Sequence, residues 1–200
     1  VEIDGHGQSK LGHTFAYGGV GLTINTINKQ FDLDIQNYII INFENLVGII
    51  DELGGIQVTL TEEEAEYYRE NGMPDIQAGD VTLTGSQALA HARNRSLDND
   101  FGRTRRQRSV LYGIYNKVRE NKDPQAIMSL ITYCMGEVST NMSVTELYNI
   151  AMDVLSIDHL RTQQAAIPQD GTYEFGTYDG MSVVEFDLEA NKEYMQELLY

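Results

Sequence analysis

The chain has 200 residues, 42% of them hydrophobic and 22% charged. It is long enough to bury a real core, and its composition is too ordinary for wholesale disorder. Fourteen Lys and Arg against thirty Asp and Glu leave a net charge of −16, a surface that repels nucleic acid and anionic lipid heads as a whole. The single cysteine, Cys134, excludes an intrachain disulfide and a cysteine-built zinc site. Residues 1–4 are neither basic nor a hydrophobic run, so no signal peptide is read there, and the charge-free stretch 124–136 is too short and polar to span a bilayer.

In chain order, Gly18, Gly19 and Gly21 precede an apolar-periodic helix over 22–31. Residues 38–43 form a short apolar run, read as a buried strand. Helical spacing over 44–53 stops at Gly54-Gly55, and alternation over 56–60 gives a strand. This strand–helix–strand order predicts a crossover unit and a partly parallel sheet. Thr61 and Glu64 form a capping box that opens an acidic helix to about residue 70. A small strand over 81–83, a helix over 85–92, a polar loop over 94–100 and a long helix over 103–118 follow. Asp123-Pro124 caps a helix over 125–138, and Ser143 with Glu146 caps another over 147–155. Strands over 162–167 and 183–186 and a helix over 188–199 complete the chain. The whole predicts a single α/β domain, a central mixed β-sheet flanked by helices in three α-β-α layers.

The charge is uneven. Of nine arginines, six lie between positions 93 and 108, opposed only by Asp98 and Asp100, a net of +4 in a chain that is otherwise −20. A cluster built of Arg alone suits a compact anion such as phosphate or pyrophosphate, whose oxygens the planar guanidinium matches in pairs. A solvated helix face with no specific partner is the other reading. On a wheel of about 100° per residue, Arg103 and Gln107 fall within the stripe of Val110, Leu111, Ile114 and Val118. Arg106 falls at the edge of that stripe, and Arg105 and Arg108 point away. A buried Arg needs an anionic partner, so Arg103 is expected to face a carboxylate or a ligand. Asp100 stands close enough to cap the helix or to pair with Arg103 as an internal brace. The helix N-terminus adds partial positive charge at the same place. Arg93 and Arg95 arrive at that end from the preceding segment, which favours an anion site. The four histidines are scattered without metal-ligand spacing, and neither a phosphate-binding loop nor a nucleophile elbow is present.

Four ordered segments carry a family resemblance. They are Lys10-Leu11-Gly12-His13-Thr14-Phe15-Ala16-Tyr17-Gly18-Gly19, Leu53-Gly54-Gly55-Ile56-Gln57-Val58, the segment from Leu83 to Arg95, and Asp100-Phe101-Gly102-Arg103-Thr104-Arg105-Arg106-Gln107. The third is similar to an L-x-G-x-x-A-L-x-Y-x-R-x-R stretch and the fourth to a D-x-G-R-x-x-R-Q signature. Together they resemble the LytR-CpsA-Psr family over residues 10 to about 120, and more loosely beyond. The resemblance implies a bacterial phosphotransferase that moves a glycopolymer, of teichoic acid or capsular type, from a polyprenyl-pyrophosphate carrier to peptidoglycan. It implies work at the extracellular face of the cytoplasmic membrane, with anchorage by a segment outside this chain. Residue by residue, Lys10, Arg93, Arg95, Arg103 and Gln107 would hold the pyrophosphate. Asp100 would orient arginines or assist proton removal, and with Arg103 makes the catalytic pair. Magnesium is the implied metal, a Lewis acid on phosphoryl oxygen. A lipid tail further requires an apolar groove beside the arginines, lined from residues 22–155.

The family pattern also places an Arg-Asp strand and metal-binding Asp residues ahead of the Lys-Leu segment, and residues 1–9 do not resemble them. The expectation is therefore a catalytic domain over 1–200 that is shortened at its N-terminus, with a sheet strand and most magnesium ligands upstream. Such a chain would bind lipid pyrophosphate weakly and turn it over poorly. Two other functions compete: a polyprenyl-pyrophosphate hydrolase, and a non-catalytic module binding lipid pyrophosphate or an anionic wall polymer.

Overall fold

The structure, a computed structural model, describes residues 1–98, 100–120, 123–157 and 165–199. In chain order it has β1 (Glu2–Ile3), β2 (Gly7–Gln8), a 3₁₀ turn (Leu11–His13), α1 (Thr14–Phe31), β3 (Ile39–Ile41), α2 (Phe43–Glu52), β4 (Ile56–Leu60), α3 (Glu62–Glu70) and β5 (Gly79–Leu83). It continues with α4 (Gly85–Arg93), α5 (Asp100–Glu120), α6 (Pro124–Glu137), β6 (Val138–Thr140), α7 (Val144–Ser156), β7 (Tyr173–Tyr178), β8 (Met181–Phe186) and α8 (Leu188–Leu199). The expected strand over 162–167 falls mainly outside the described residues. No helix among the described residues is long and apolar enough to cross a membrane.

The chain gathers into two compact units: Val1–Tyr38 with Arg161–Tyr200, and Ile39–Leu160. In the first, α1 changes direction at Gly18 and Gly19, where the backbone leaves helical values, and the predicted 22–31 helix is its second part. Phe31 on α1 stacks on Phe186, ring centroids 6.2 Å apart, and Gln196 of α8 donates to the carbonyl of Asp32 at 2.8 Å. β7 and β8 form an antiparallel hairpin closed by Asp179-Gly180, both at positive φ, the backbone a two-residue hairpin turn requires. Fully buried Asn191 ties the base of this hairpin to α8. It accepts from the Gln169 amide at 2.7 Å and donates to Thr172 Oγ1 and the Asp187 carbonyl.

The second unit holds the arginine cluster. Its core is Ile50, Ile56, Val58, Leu60, Tyr68, Ile76, Leu83, Ala88, Ala92 and Val110. β4 buries Ile56, Val58 and Leu60 and exposes Gln57 and Thr59, an alternation that puts one face on the core and the other in solvent. The Thr61–Glu64 and Ser143–Glu146 capping boxes form as the sequence predicts, and Thr84 with Gln87 adds a third at the start of α4.

The α/β class expected from the sequence is what the chain adopts, but its strands pair differently. The described strands join two by two, in four antiparallel sheets: β1–β2, β3–β6, β4–β5 and β7–β8. The parallel pairing expected of β3 with β4 is not among them, nor is a central mixed sheet. A parallel strand is buried on both faces, whereas β4 is wet on one, which suits its pairing with β5.

Candidate functional site

Three elements of the second unit frame the site. α4 ends at Arg93, because Asn94 turns to an extended backbone with ψ of 128°. Residues 94–98 form a loop, and α5 begins at Asp100. Within the loop, the Ser96 amide donates to Asn94 Oδ1 at 2.8 Å, a local side-chain turn.

The residue that fixes this loop is Arg106, which is 1% exposed. Its Nη2 donates to Asp98 Oδ1 at 2.7 Å and to the Asn94 carbonyl at 2.8 Å, and its Nη1 donates to Asp98 Oδ2 at 3.0 Å. The Glu64 carboxylate of α3 lies 3.6 Å from the same guanidinium. The paired fork on Asp98 is the strong geometry for an Arg–carboxylate contact. It holds the Asp98 carboxyl below its ordinary value and raises Arg106 further. Asp98 also lies against the bare Cα of Gly102, where any Cβ would collide with the carboxylate. The loop is thus pinned to the first two turns of α5 at both of its ends.

Below this clamp lies a buried polar chain. His91 is 2% exposed, with Nδ1 2.9 Å from Tyr68 Oη and Nε2 3.2 Å from Ser109 Oγ. Ser109 spends its own proton on the Arg106 carbonyl at 2.7 Å. Its oxygen therefore accepts from His91 Nε2–H, and Nδ1 accepts from Tyr68. Burial lowers the His91 pKa to about 4, with the Glu64 carboxylate pulling the other way and Arg106 adding to the depression. Burial also raises Tyr68 to about 12, which keeps its hydroxyl proton available to His91.

The expected site residues fall as follows. Arg93 is exposed and holds its guanidinium 4.7 Å from the centre of the Phe43 ring, itself 54% exposed. Arg95 is exposed, in the middle of the pinned loop. Arg103 is half-buried on the first turn of α5. Asp100 is the first residue of α5, and its side chain lies outside the described residues. Lys10 is half-buried ahead of the 3₁₀ turn, with its carbonyl bonded to the His13 amide, and belongs to the other unit.

Three helix-face expectations are corrected. Gln107, expected inside the apolar stripe, is exposed. Arg106, expected at its edge, is the buried arginine, and an Asp–Arg brace does form, made by Asp98 and Arg106. Arg108, expected to point away, is half-buried, whereas Arg105 is 62% exposed as expected, 3.4 Å from Asp98. The inward face of α5 runs through Gly102, Arg106, Val110 and Gly113, all buried, while Leu111, counted in the stripe, is 61% exposed. Leu111, apolar but exposed, turns the predicted stripe away from this face. Gly102 and Gly113, spaced on one face of a charged helix, were the available signal for close packing.

Among the described residues no three His, Cys, Asp or Glu side chains gather where they could share a metal ion. The described residues alone therefore do not make a magnesium cage, which needs several oxygens. The two described clefts lie elsewhere, one beside residues 72–77 and the β5–α4 junction, the other at the base of the β7–β8 hairpin.

Arg93 at the end of α4, Arg95 on the pinned loop and Arg103 on the first turn of α5 thus follow one another within a short stretch of this unit. The chain belongs to the LytR_cpsA_psr family, whose model matches residues 1–198. It is 31% identical over 204 residues to a polyisoprenyl-teichoic acid–peptidoglycan teichoic acid transferase, TagU of Enterococcus faecalis, an alignment covering 99% of this chain and 63% of that protein. The chain thus spans less than two thirds of that relative's length. In fold it is similar to the crystal structure of Bacillus subtilis TagT, with a TM-score of 0.79 at 25% identity, over 99% of this chain and 74% of TagT. A TagT structure bound to LIIa-WTA is similar at a TM-score of 0.77 and 25% identity, over 98% and 74% of the two chains.

Proposed function

We propose that this chain is the phosphotransferase domain of a wall-polymer ligase, moving a teichoic-acid-type glycopolymer from polyprenyl pyrophosphate to a peptidoglycan hydroxyl. The observation that carries the reading is the pinned loop that presents Arg95 between the end of α4, where Arg93 stands, and the first turn of α5, which carries Arg103. The named activity of its transferase relatives supports the same chemistry. In the reaction the acceptor hydroxyl attacks the polymer-bearing phosphorus, and the bond from that phosphorus to the bridging oxygen breaks. Polyprenyl monophosphate leaves, the polymer is left in a phosphodiester, and the hydroxyl proton passes to a base.

Each arginine has a task set by where it stands. Arg95 and Arg103 neutralise pyrophosphate oxygens and charge that grows on the leaving phosphate. Arg93, steadied over Phe43, adds a guanidinium at the border of an exposed apolar strip that includes Ile39 and Ile41. That border suits a ligand with a charged head and an isoprenoid tail. Lys10 and Gln107 complete the proposed pyrophosphate set, and Asp100 is the proposed proton acceptor. Magnesium, if bound, would polarise the phosphoryl oxygens, with ligands drawn from outside the described side chains, Asp100 among them. Residence at the outer face of the cytoplasmic membrane belongs to the same proposal.

The test uses the purified chain, a short-chain polyprenyl-pyrophosphate-linked disaccharide and soluble peptidoglycan fragments, with magnesium or excess chelator. Release of polyprenyl monophosphate together with a disaccharide–peptidoglycan phosphodiester is expected. Release without an acceptor product makes the chain a hydrolase, and binding without release makes it a binding module.

A further inference from the structure

We infer that Arg106 and Asp98 are positioning residues that act through Arg95, holding the 94–98 loop so that the Arg95 guanidinium is presented to the pyrophosphate in one fixed place. The inference rests on the function proposed above. Arg106 cannot itself meet a ligand: it is 1% exposed, and its two terminal nitrogens are directed to Asp98, Asn94 and Glu64.

The geometry shows what it does instead. One guanidinium bonds the backbone carbonyl of Asn94 on one side of Arg95 and the carboxylate of Asp98 on the other. Between them, the Ser96 amide is tied back to the Asn94 side chain. Arg95 therefore projects from a backbone held three residues to one side and one to the other. An exposed arginine on a free loop would lose rotamer and backbone freedom on closing over a phosphate, which weakens binding. A loop already pinned by a buried guanidinium has met that cost on folding. The glycine at 102 belongs to the same device, because it lets the Asp98 carboxylate reach the surface of α5. Glu64 anchors the far side: it caps α3 through the Thr61 amide at 3.0 Å and sets a second carboxylate 3.6 Å from Arg106.

The experiment is a double-mutant cycle between Asp98 and Arg95, read by calorimetric binding of inorganic pyrophosphate and of farnesyl pyrophosphate. Asp98 is used because Arg106→Ala, which removes a fully buried and paired side chain, is expected to impair folding. Arg95→Ala and Asp98→Ala are each expected to weaken binding about tenfold, and the double variant by little more than either alone. Asp98→Asn, which keeps one oxygen for Arg106, is expected to recover part of the loss. Amide exchange at Ser96 is expected to quicken in Asp98→Ala while exchange in the β4 core stays as in the parent.

Losses that multiply to about a hundredfold in the double variant would overturn the positioning role and leave the pyrophosphate site standing. So would Ser96 exchange that Asp98→Ala does not alter. A parent chain that binds neither pyrophosphate, or an Arg95→Ala chain that binds both as the parent does, would overturn the functional reading and this inference with it.

Discussion

The Asp98 carboxylate occupies the space that a Cβ on residue 102 would need. Gly102 is buried within α5, where helix propensity alone favours alanine by about 1 kcal/mol. The packing reverses that preference. Gly102→Ala must push Asp98 off the helix and pull its oxygens from Arg106, and overpacking of this kind costs about 1–3 kcal/mol. Urea unfolding of Gly102→Ala is expected to show a lower midpoint with an unchanged slope. A higher midpoint would mean that Asp98 moves aside freely and that the clamp is loose.

Arg105 and Arg106 are sequence neighbours with opposite expected costs. Arg106→Ala leaves Asp98 and Glu64 without their shared cation and is expected to cost about 3 kcal/mol, the low end for a broken buried pair. The low end applies because the Asp98 side chain keeps 30% exposure, so water takes over part of its charge. Arg105→Ala removes a 3.4 Å pair from a side chain that is 62% exposed and is expected to change stability by less than about 0.5 kcal/mol. Thermal unfolding of the two variants side by side checks the ranking.

Local signals carried most of what the sequence revealed. The capping boxes at Thr61 and Ser143 and the Gly54-Gly55 stop lie within one helical turn of what they control, and the structure keeps all of them. Strand pairing depends on partners far away in the chain. β3 meets β6 almost a hundred residues later, with Ile39 opposite Thr140, and nothing in either three-residue strand names the other. The β7–β8 hairpin carries a local turn signal, Asp179-Gly180 between two aromatic and β-branched runs, although the sequence reading predicts only its second strand. In the candidate site, charge density marked the arginines as a group. It did not separate the buried one from the exposed ones, because that depends on a rotation of α5 by less than one residue's angle, which Leu111 set wrongly and Gly102 and Gly113 would have set right.

Phe43 offers a test of the apolar border. It is 54% exposed, so Phe43→Leu is expected to leave stability within about 0.5 kcal/mol. It removes the ring beneath Arg93, a contact of about 0.5–1 kcal/mol at an exposed site. Binding of farnesyl pyrophosphate is expected to weaken severalfold. An effect equal to that of Arg93→Ala would show that the ring, rather than the cation, makes the contact.

His91 gives the fold a predictable response to acid. Buried neutral between Tyr68 and Ser109, it takes a proton only near pH 4, whereas the unfolded chain takes it near 6.5. Between those values the unfolded state binds more protons than the folded one, so stability falls as pH is lowered from about 6.5 toward 4, by about 3 kcal/mol across the window. The protonated ring would also place an N–H against the Tyr68 hydroxyl, forcing that hydroxyl to turn its own proton elsewhere. Asp98 responds at lower pH. Its carboxyl is held down by the Arg106 hydrogen bonds, so its contribution is present above the ordinary aspartate value and is lost only as pH falls below it. Two successive losses are therefore expected on acidification, the first from His91 and the second from the clamp. His91→Gln carries no titrating ring, so its unfolding free energy, although lower at neutral pH through lost packing, should stay level between pH 6.5 and 4. Urea titrations of parent and variant at half-unit pH intervals measure this directly. A variant that loses stability over that window as steeply as the parent would place the acid response on another group and leave His91 as packing alone.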